Sequence, residues 1–456
     1  MLSIPFYISN IEEKQDLHPN NCVIPAKIAS IWKIDDTVEH HATLTNHFIS
    51  KNIEIVVDPY LDDHMIQLPP QVIHHLRLNK NCNIQCLYDR NTNTFHLGPS
   101  IGVVVGDVYD EEHPFGPLTP YLTEMGKTAT QLYYFFIVFS YKDVQGSFIN
   151  GFCYQDGKWN KCITPLPHVI YNRIGRRDQE WSQSGKTFFK RLNEMNIPHF
   201  NDRFIHKWDT FSYLFEEPIL RPYLPETKHL TSKDVLYDLL EKYKSSYLKP
   251  FWGKEGSGII KVLKNEGTYF LTYPHDQGWL TKKVTADEEL FTILKERVNK
   301  RPYLIQQTID INKLDDAPID FRILCIKDIN GYWQACSAVG RIGKKDTIVS
   351  NLSQGGVQKK IVSILSNWMN EDDALQTERF LHELAVEAAY AIDNRAGGVF
   401  GELGFDFIID KNNQVWVLEV NIKPSKGDSL QIDNHVLPSV KYLLIYAASI
   451  VGFAII

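Results

Sequence analysis

One stretch constrains this chain more than any other: Glu402-Leu-Gly-Phe-Asp-Phe-Ile-Ile-Asp-Lys-Asn-Asn-Gln-Val-Trp-Val-Leu-Glu-Val-Asn-Ile-Lys-Pro424. Two apolar runs of period two flank Asp410 to Asn413, which have turn chemistry, so the pattern predicts a hairpin with Ile409 opposite Gln414. In that register Asp406 lies opposite Val417 and diagonal to Glu419. Phe405, Phe407, Ile409, Trp416, Leu418 and Val420 form an apolar face, while Asp406, Glu419 and Asn421 project from the other. Diagonal neighbours lie about 7–8 Å apart, close enough for two carboxylates and an amide oxygen to share ions. Like charges at that spacing repel unless a cation sits between them, and such hard oxygen donors suit Mg²⁺ with substrate phosphates. A solvated polar face on an amphipathic hairpin fits the same pattern.

A second signal is Tyr247-Leu-Lys-Pro-Phe-Trp-Gly-Lys-Glu-Gly-Ser-Gly-Ile-Ile-Lys-Val262. It reads as a strand ending on Lys249-Pro250, a loop with Gly253, Gly256, Ser257 and Gly258, and a strand resuming at Ile259. Glycine lets a loop backbone approach a phosphate closely, and Lys249 adds positive charge at its mouth. The spacing is not that of a helix-capping P-loop, and Gly185-Lys186-Thr187 lacks the earlier glycine, having Glu180 in its place. A glycine-rich hairpin turn is the plainer alternative.

The third signal is Asp320-Phe-Arg322, followed by Val339-Gly-Arg-Ile-Gly343 and Ser350-Asn-Leu-Ser-Gln-Gly-Gly356. Asp and Arg two apart on a strand share a face and can hold a phosphate or an acidic substrate. Arg341 suits a transferring phosphoryl group because guanidinium stays charged and bidentate. Ordinary ion pairs account for either arginine taken singly.

Around these signals the chain divides into three regions. Residues 1–98 hold short β-type runs and predict a β-rich module. Residues 99–196 open with the buried-strand run after Gly98 and alternate strands with helices, a small α/β domain. Residues 197–456 read as a larger α/β domain, with a helix from Glu371 to Arg395 stopped by Gly397-Gly398. The overall class is α/β (α+β).

Composition excludes several alternatives. With 43% hydrophobic and 23% charged residues the chain is not mainly disordered, and a net charge of −7 gives no footprint for duplex nucleic acid. Seven scattered cysteines without a CxxC pair predict a reduced, cytoplasmic-type protein, and no export signal is visible at the N-terminus. The apolar stretch Tyr442 to Ile456 is shorter than the about 20 residues of a membrane span and reads as a packed helix. His74-His75 with Cys82 and Cys86 fits no common zinc spacing. Neither a Gly-x-Ser-x-Gly elbow nor the protein-kinase signature set is present.

The order of these phrases, with Gln306-Gln307-Thr308-Ile309 between them, resembles the ATP-grasp superfamily, particularly its ribosomal-protein glutamate ligase and D-alanine:D-alanine ligase branches. More narrowly it resembles the YheC/YheD family of endospore coat-associated proteins. Val169-Ile-Tyr-Asn-Arg-Ile174, Phe204-Ile-His-Lys-Trp208, Tyr247-Leu-Lys-Pro-Phe251, Gly340-Arg-Ile-Gly343 and Leu418-Glu-Val-Asn421 carry the likeness.

The resemblance implies an ATP-grasp fold with a lid at about 230–303, preceded by a pre-ATP-grasp α/β domain. It implies that Lys207 and Lys249 hold ATP phosphates under a lid made by the glycine loop. Gln306 to Ile309 would read adenine, Asp310 is a candidate for ribose, and Asp406, Glu419 and Asn421 would bind Mg²⁺ beside Arg322 and Arg341. Gln307 departs from the family, which often has an acidic residue there. The implied activity is an ATP-dependent carboxylate–amine ligase acting through an acyl phosphate. The alternatives are a spore-coat-associated binding or structural protein, or a small-molecule kinase.

Overall fold

The computed structural model describes residues 6–34, 40–78, 82–109, 112–253, 256–275, 278–298, 301–345, 356–426 and 437–453. Residues 350–355 of the Ser350 to Gly356 phrase lie outside them. The chain forms two units, Met1–Asp202 with Lys327–Tyr332 and Val436–Ile456, and Arg203–Ile326 with Trp333–His435.

In the first unit, β1 (Phe6–Glu13), β2 (Asn21–Pro25), β3 (His40–Asn46), β4 (Ile49–Asp58), β5 (Met65–Leu68), β6 (Cys82–Asp89) and β7 (Thr94–Gly98) close into a barrel ordered β1-β5-β2-β4-β3-β7-β6. Closure pairs every edge, so short strands need no further cover. Ile11, Ile24, Ile66, Ile84 and Phe95 fill the barrel. Helices α1 (Ala26–Trp32) and α2 (Pro70–His75) add Trp32, which meets Phe95 edge-on at 5.0 Å, and Val72.

A sheet follows of β8 (Ser100–Val105), β9 (Phe135–Ser140), β10 (Val144–Gln145), β11 (Phe148–Gln155), β12 (Lys158–Pro165), β13 (Val169–Asn172) and β14 (His199–Phe200). Its order is β10-β11-β9-β8-β13-β14, with β12 on β11 and with β9, β8, β13 and β14 parallel. Consecutive residues Val103 and Val104 are both fully buried, as a parallel strand covered on both faces requires. Helix α3 (Thr119–Gln131) packs on β9, and α4 (Arg177–Glu180) leads into α5 (Gln183–Glu194). The helix Pro438–Ile450 packs on α3, β8 and β13 through residues such as Val440 and Leu444, and no described helix is long and apolar enough to cross a membrane. Cys153 and Cys162 form a disulfide across the β11–β12 hairpin. The fully reduced reading is thereby corrected, because the hairpin brings together two thiols that their spacing of nine residues gave no reason to pair.

In the second unit an antiparallel sheet runs β15-β20-β16-β17-β18-β19, made of β15 (Thr227–His229), β16 (Ser245–Pro250), β17 (Ile260–Asn265), β18 (Thr268–His275), β19 (Gly278–Val284) and β20 (Tyr303–Gln307). The β17–β18 hairpin turns through Glu266 and Gly267, both at positive φ, as a two-residue hairpin loop demands. Helices α7 (Lys233–Tyr243) and α8 (Asp287–Val298) cover one face, through Leu236, Leu240, Leu290 and Leu294. Helix α6 (Lys207–Phe215) precedes this sheet in the chain.

The other sheet of this unit is ordered β24-β23-β22-β25-β26, from β22 (Ala317–Lys327), β23 (Trp333–Ile342), β24 (Val357–Lys359), β25 (Glu402–Ile409) and β26 (Val415–Asn421), with β21 (Lys313–Leu314) on β22. Helices α9 (Ile361–Leu365) and α10 (Glu371–Arg395) pack on it. In α10 the Asn370 side chain accepts from the Asp373 amide at 2.9 Å, and three acidic residues favour the positive end of the helix dipole. Leu381, Leu384, Ala385, Ala388, Ala389 and Ile392 are its buried stripe.

The hairpin register differs from the one its turn predicts. Ile409 pairs with Val415, not Gln414, and a bulge between Phe407 and Asp406 then leaves Leu418 out of the ladder. Val415, Val417 and Val420 therefore join Phe405, Phe407 and Ile409 in the core. Trp416 and Leu418 do not belong to that face. The Asp410 side chain sets the longer turn by accepting from the amides of Asn412 and Gln414 and from the Trp416 indole at 2.8, 2.9 and 3.0 Å.

Candidate functional site

The face of the β22–β26 sheet away from α10 carries charge. Arg322 lies opposite Asp406, and Asp406 lies opposite Glu419, so three adjacent strands present these groups side by side. Arg322 Nε and Nη2 donate to the two Asp406 oxygens at 2.5 and 3.1 Å, and Arg341 Nη2 reaches Asp406 Oδ1 at 3.0 Å. Arg341 also grips Asp320 through two bonds of 2.5 and 2.8 Å. Asn421 Nδ2 donates to Asp406 Oδ2 at 3.1 Å. Burial pushes the Asp406 carboxyl up, but the charges of Arg322 and Arg341, with hydrogen bonds from Arg322 and Asn421, outweigh it and hold the group below the usual carboxylate range. Asp320 and Arg322 share a face, as their spacing predicts, but each is matched to a different strand.

Lys207 begins α6. His206 caps the helix, its Nδ1 accepting from the Asp209 amide at 3.0 Å, and the Lys207 amide donates to the Phe251 carbonyl at 3.0 Å. Trp208 stacks nearly parallel to Phe251, fixing the helix start beside the end of β16. From there the Lys207 ammonium pairs with Glu419.

Lys249, on β16, is 6% exposed and donates to Gln306 Oε1 on β20 at 2.6 Å. Gln306 Nε2 donates in turn to Thr227 Oγ1 at 3.0 Å, and Thr227 to the Pro225 carbonyl at 2.9 Å. Burial pulls the Lys249 ammonium down to about 8; Glu419 and Asp406 oppose this and Lys207 adds to it.

The remaining sequence-derived residues separate. Gln307 turns to Glu226, whose amide donates to Gln307 Oε1 at 2.8 Å, and the Thr308 and Ser245 hydroxyls pair at 2.9 Å. Ile309 is half-buried, and Asp310, 76% exposed, pairs with Lys411 at 2.8 Å. Gly253, Gly256, Ser257 and Gly258 form the loop between β16 and β17, where Gly256 and Gly258 have φ of +78° and Tyr303 Oη donates to the Gly258 carbonyl at 3.1 Å.

A narrow cleft lies between the two sheets of this unit, with Lys207, Lys249, Gln306 and Glu419 on its walls. Thr210, Phe211, Leu214, Leu224, Thr227, Leu304 and Leu418 also line it; none of these carries a site signal in the sequence, whose alternation assigns Leu418 to the apolar face of the hairpin. Lys261, on β17, is not among the residues that line the cleft. It lies opposite Tyr247, 5.5 Å above its ring, and burial, then Lys313, lower its pKa against Asp310.

The family model described as YheC/D like ATP-grasp matches residues 196–450, more than half of the chain. The chain belongs to the YheC/D-like ATP-grasp family. It is 29% identical over 372 residues to endospore coat-associated protein YheD of Bacillus subtilis (strain 168), covering 80% of this chain and 81% of YheD. It is 26% identical over 278 residues to YheC of the same organism, covering 60% of this chain and 75% of YheC. A solved structure of the ATP-grasp ligase PsnB complexed with minimal precursor covers 76% of this chain and 99% of its own, at 14% identity and a TM-score of 0.43. The ATP-grasp assignment rests on the family match.

The donor set of this YheC/D-like ATP-grasp chain fits the Mg²⁺ that its family implies. Two carboxylates face one another on adjacent strands, Asn421 supplies an amide, and every donor is a hard oxygen.

Proposed function

We propose that the chain is a Mg²⁺- and ATP-dependent ligase that joins a carboxylate to an amine through an acyl phosphate. One observation carries the reading: Asp406, Glu419 and Asn421 stand with Arg322 and Arg341 on one sheet face, Lys207 reaches Glu419 from α6, and Lys207, Lys249 and Glu419 line one cleft. Mg²⁺ held by Asp406, Glu419 and Asn421 would offset phosphate charge. Lys207 and Lys249 hold the polyphosphate, and Arg341, fixed by Asp320, stabilises the charge that develops on the transferring group. A substrate carboxylate oxygen attacks the γ-phosphorus, and the bond to the β–γ bridging oxygen breaks to release ADP. The amine nitrogen then attacks the acyl carbon, phosphate leaves, and the nitrogen loses a proton. No side-chain nucleophile is required, since positioning and charge stabilisation suffice. A panel of carboxylates incubated with Mg²⁺, ATP and hydroxylamine is expected to give a hydroxamate with at least one acid. ATP turnover without a hydroxamate from any acid, alongside a stable phosphorylated product, would instead support a kinase.

The names of YheD and YheC favour a second reading, a spore-coat-associated protein that keeps the fold for binding or assembly. Full biological activity of Asn421→Ala would support it.

A further inference from the structure

On the nucleotide-binding reading above, we infer that Lys207 makes the site specific for metal presented with a polyphosphate, and closes it to free divalent cations. Both carboxylates of the donor set already have cationic partners. Asp406 takes a fork from Arg322 and a third bond from Arg341, and Glu419 takes the Lys207 ammonium. With Asp320 and Lys249 included, three carboxylates face four basic side chains, so the cleft offers no net negative charge to a bare dication. A free ion, itself reluctant to shed water, would have to displace Lys207 from Glu419 and leave that ammonium beside a double positive charge. Lys207 is only 16% exposed, and α6 is pinned by its cap and by the Lys207 amide to Phe251, so the ammonium has little room to withdraw into solvent.

A polyphosphate changes this balance. It gives Lys207 an anionic partner, frees the Glu419 oxygens, and supplies oxygen ligands of its own. Nucleotide and metal affinities are then positively coupled, and by linkage each raises the other by the same factor. Lys207 is the group through which most of that coupling passes, because it is the cation on the more exposed carboxylate of the pair.

The test is Mn²⁺ binding followed by loss of the free-ion electron paramagnetic resonance signal, with and without a non-hydrolysable ATP analogue, on the full chain. In the parent, with the ion held by the analogue alone subtracted, the analogue is expected to raise the affinity of the chain for Mn²⁺ by about 30-fold or more over that of the chain alone, within the usual range of coupling. In Lys207→Gln, Mn²⁺ alone is expected to bind more tightly than to the parent, with coupling reduced to about threefold or less. Glu419→Gln, measured beside it, is expected to lose the protein-dependent Mn²⁺ response while still binding the analogue in EDTA. Tight binding of free Mn²⁺ by the parent, or undiminished coupling in Lys207→Gln, overturns the inference. Failure of the parent to bind the analogue under any condition overturns the nucleotide reading instead.

Discussion

Asp406 and Glu419 stand directly opposite one another on β25 and β26 because Leu418 is left out of the ladder between them. Without that bulge the strand would keep strict alternation, and Leu418 would face Asp406 while Glu419 turned to the core. Bulges commonly re-aim a side chain beside a site. The two carboxylates nonetheless have different surroundings, which separates their roles.

Asp406 is 7% exposed and holds two buried arginines, so Asp406→Asn is expected to lower stability by roughly 3–5 kcal/mol. Glu419 is 28% exposed with one lysine partner, and Glu419→Gln is expected to cost about 1 kcal/mol or less. Urea unfolding midpoints of the two variants, with denaturant slopes compared, check the contrast.

Lys249 links pH to both stability and binding, in opposite directions. In the unfolded chain it keeps its proton to about 10.5, but in the fold only to about 8. Between these values the unfolded chain binds more protons, so this group's contribution to stability rises with pH, by at most about 1.4 kcal/mol per unit. Polyphosphate affinity is expected to fall as pH rises through about 8, because the neutral amine no longer attracts it. Titration of an ATP analogue from pH 7.5 to 9.5 measures this, and Lys249→Met is expected to flatten the curve.

Gly258 has φ of +78°, and a Cβ there would come within 3.2 Å of Tyr303 Oη and 3.3 Å of Pro250 Cγ. Gly258→Val is expected to cost about 1–2 kcal/mol from the backbone alone. It also displaces the carbonyl that Tyr303 holds, so affinity for an ATP analogue is expected to weaken. Calorimetric titration and urea unfolding read the two effects separately.

Glu402, fully buried at the start of β25, pairs with Lys426, which follows the end of β26. Lys426→Met removes the ammonium paired with this buried carboxylate and is expected to destabilise by roughly 3–5 kcal/mol. The double variant Glu402→Gln/Lys426→Met is expected to recover part of that loss, as a double-mutant cycle would show.

Local patterns made much of this molecule legible. The alternation in 402–421, the glycine loop after Lys249 and the stripe of α10 each follow from short-range rules, and the corresponding strands, turn and helix are present. The hairpin register was not legible, because Asp410 organises a turn one residue longer and the bulge reverses parity after Val417. Barrel closure, the Cys153–Cys162 pair and the packing of Pro438–Ile450 on β8 and β13 depend on contacts far apart in sequence, which periodicity does not encode. At the site, the sequence named Arg322 and Arg341 as phosphate-side groups but gave no sign that both would converge on Asp406. The apolar wall formed by Leu214, Leu224 and Leu304 carries no motif.

The most direct test of the central claim is thermal unfolding of the full chain with Mg²⁺ and a non-hydrolysable ATP analogue, across a range of analogue concentrations. Protection is expected to grow with concentration, reaching about 2.7 kcal/mol at a hundredfold excess over Kd, and to be lost in Lys249→Met. A melting temperature that stays constant at every concentration of the metal and analogue would contradict the claim.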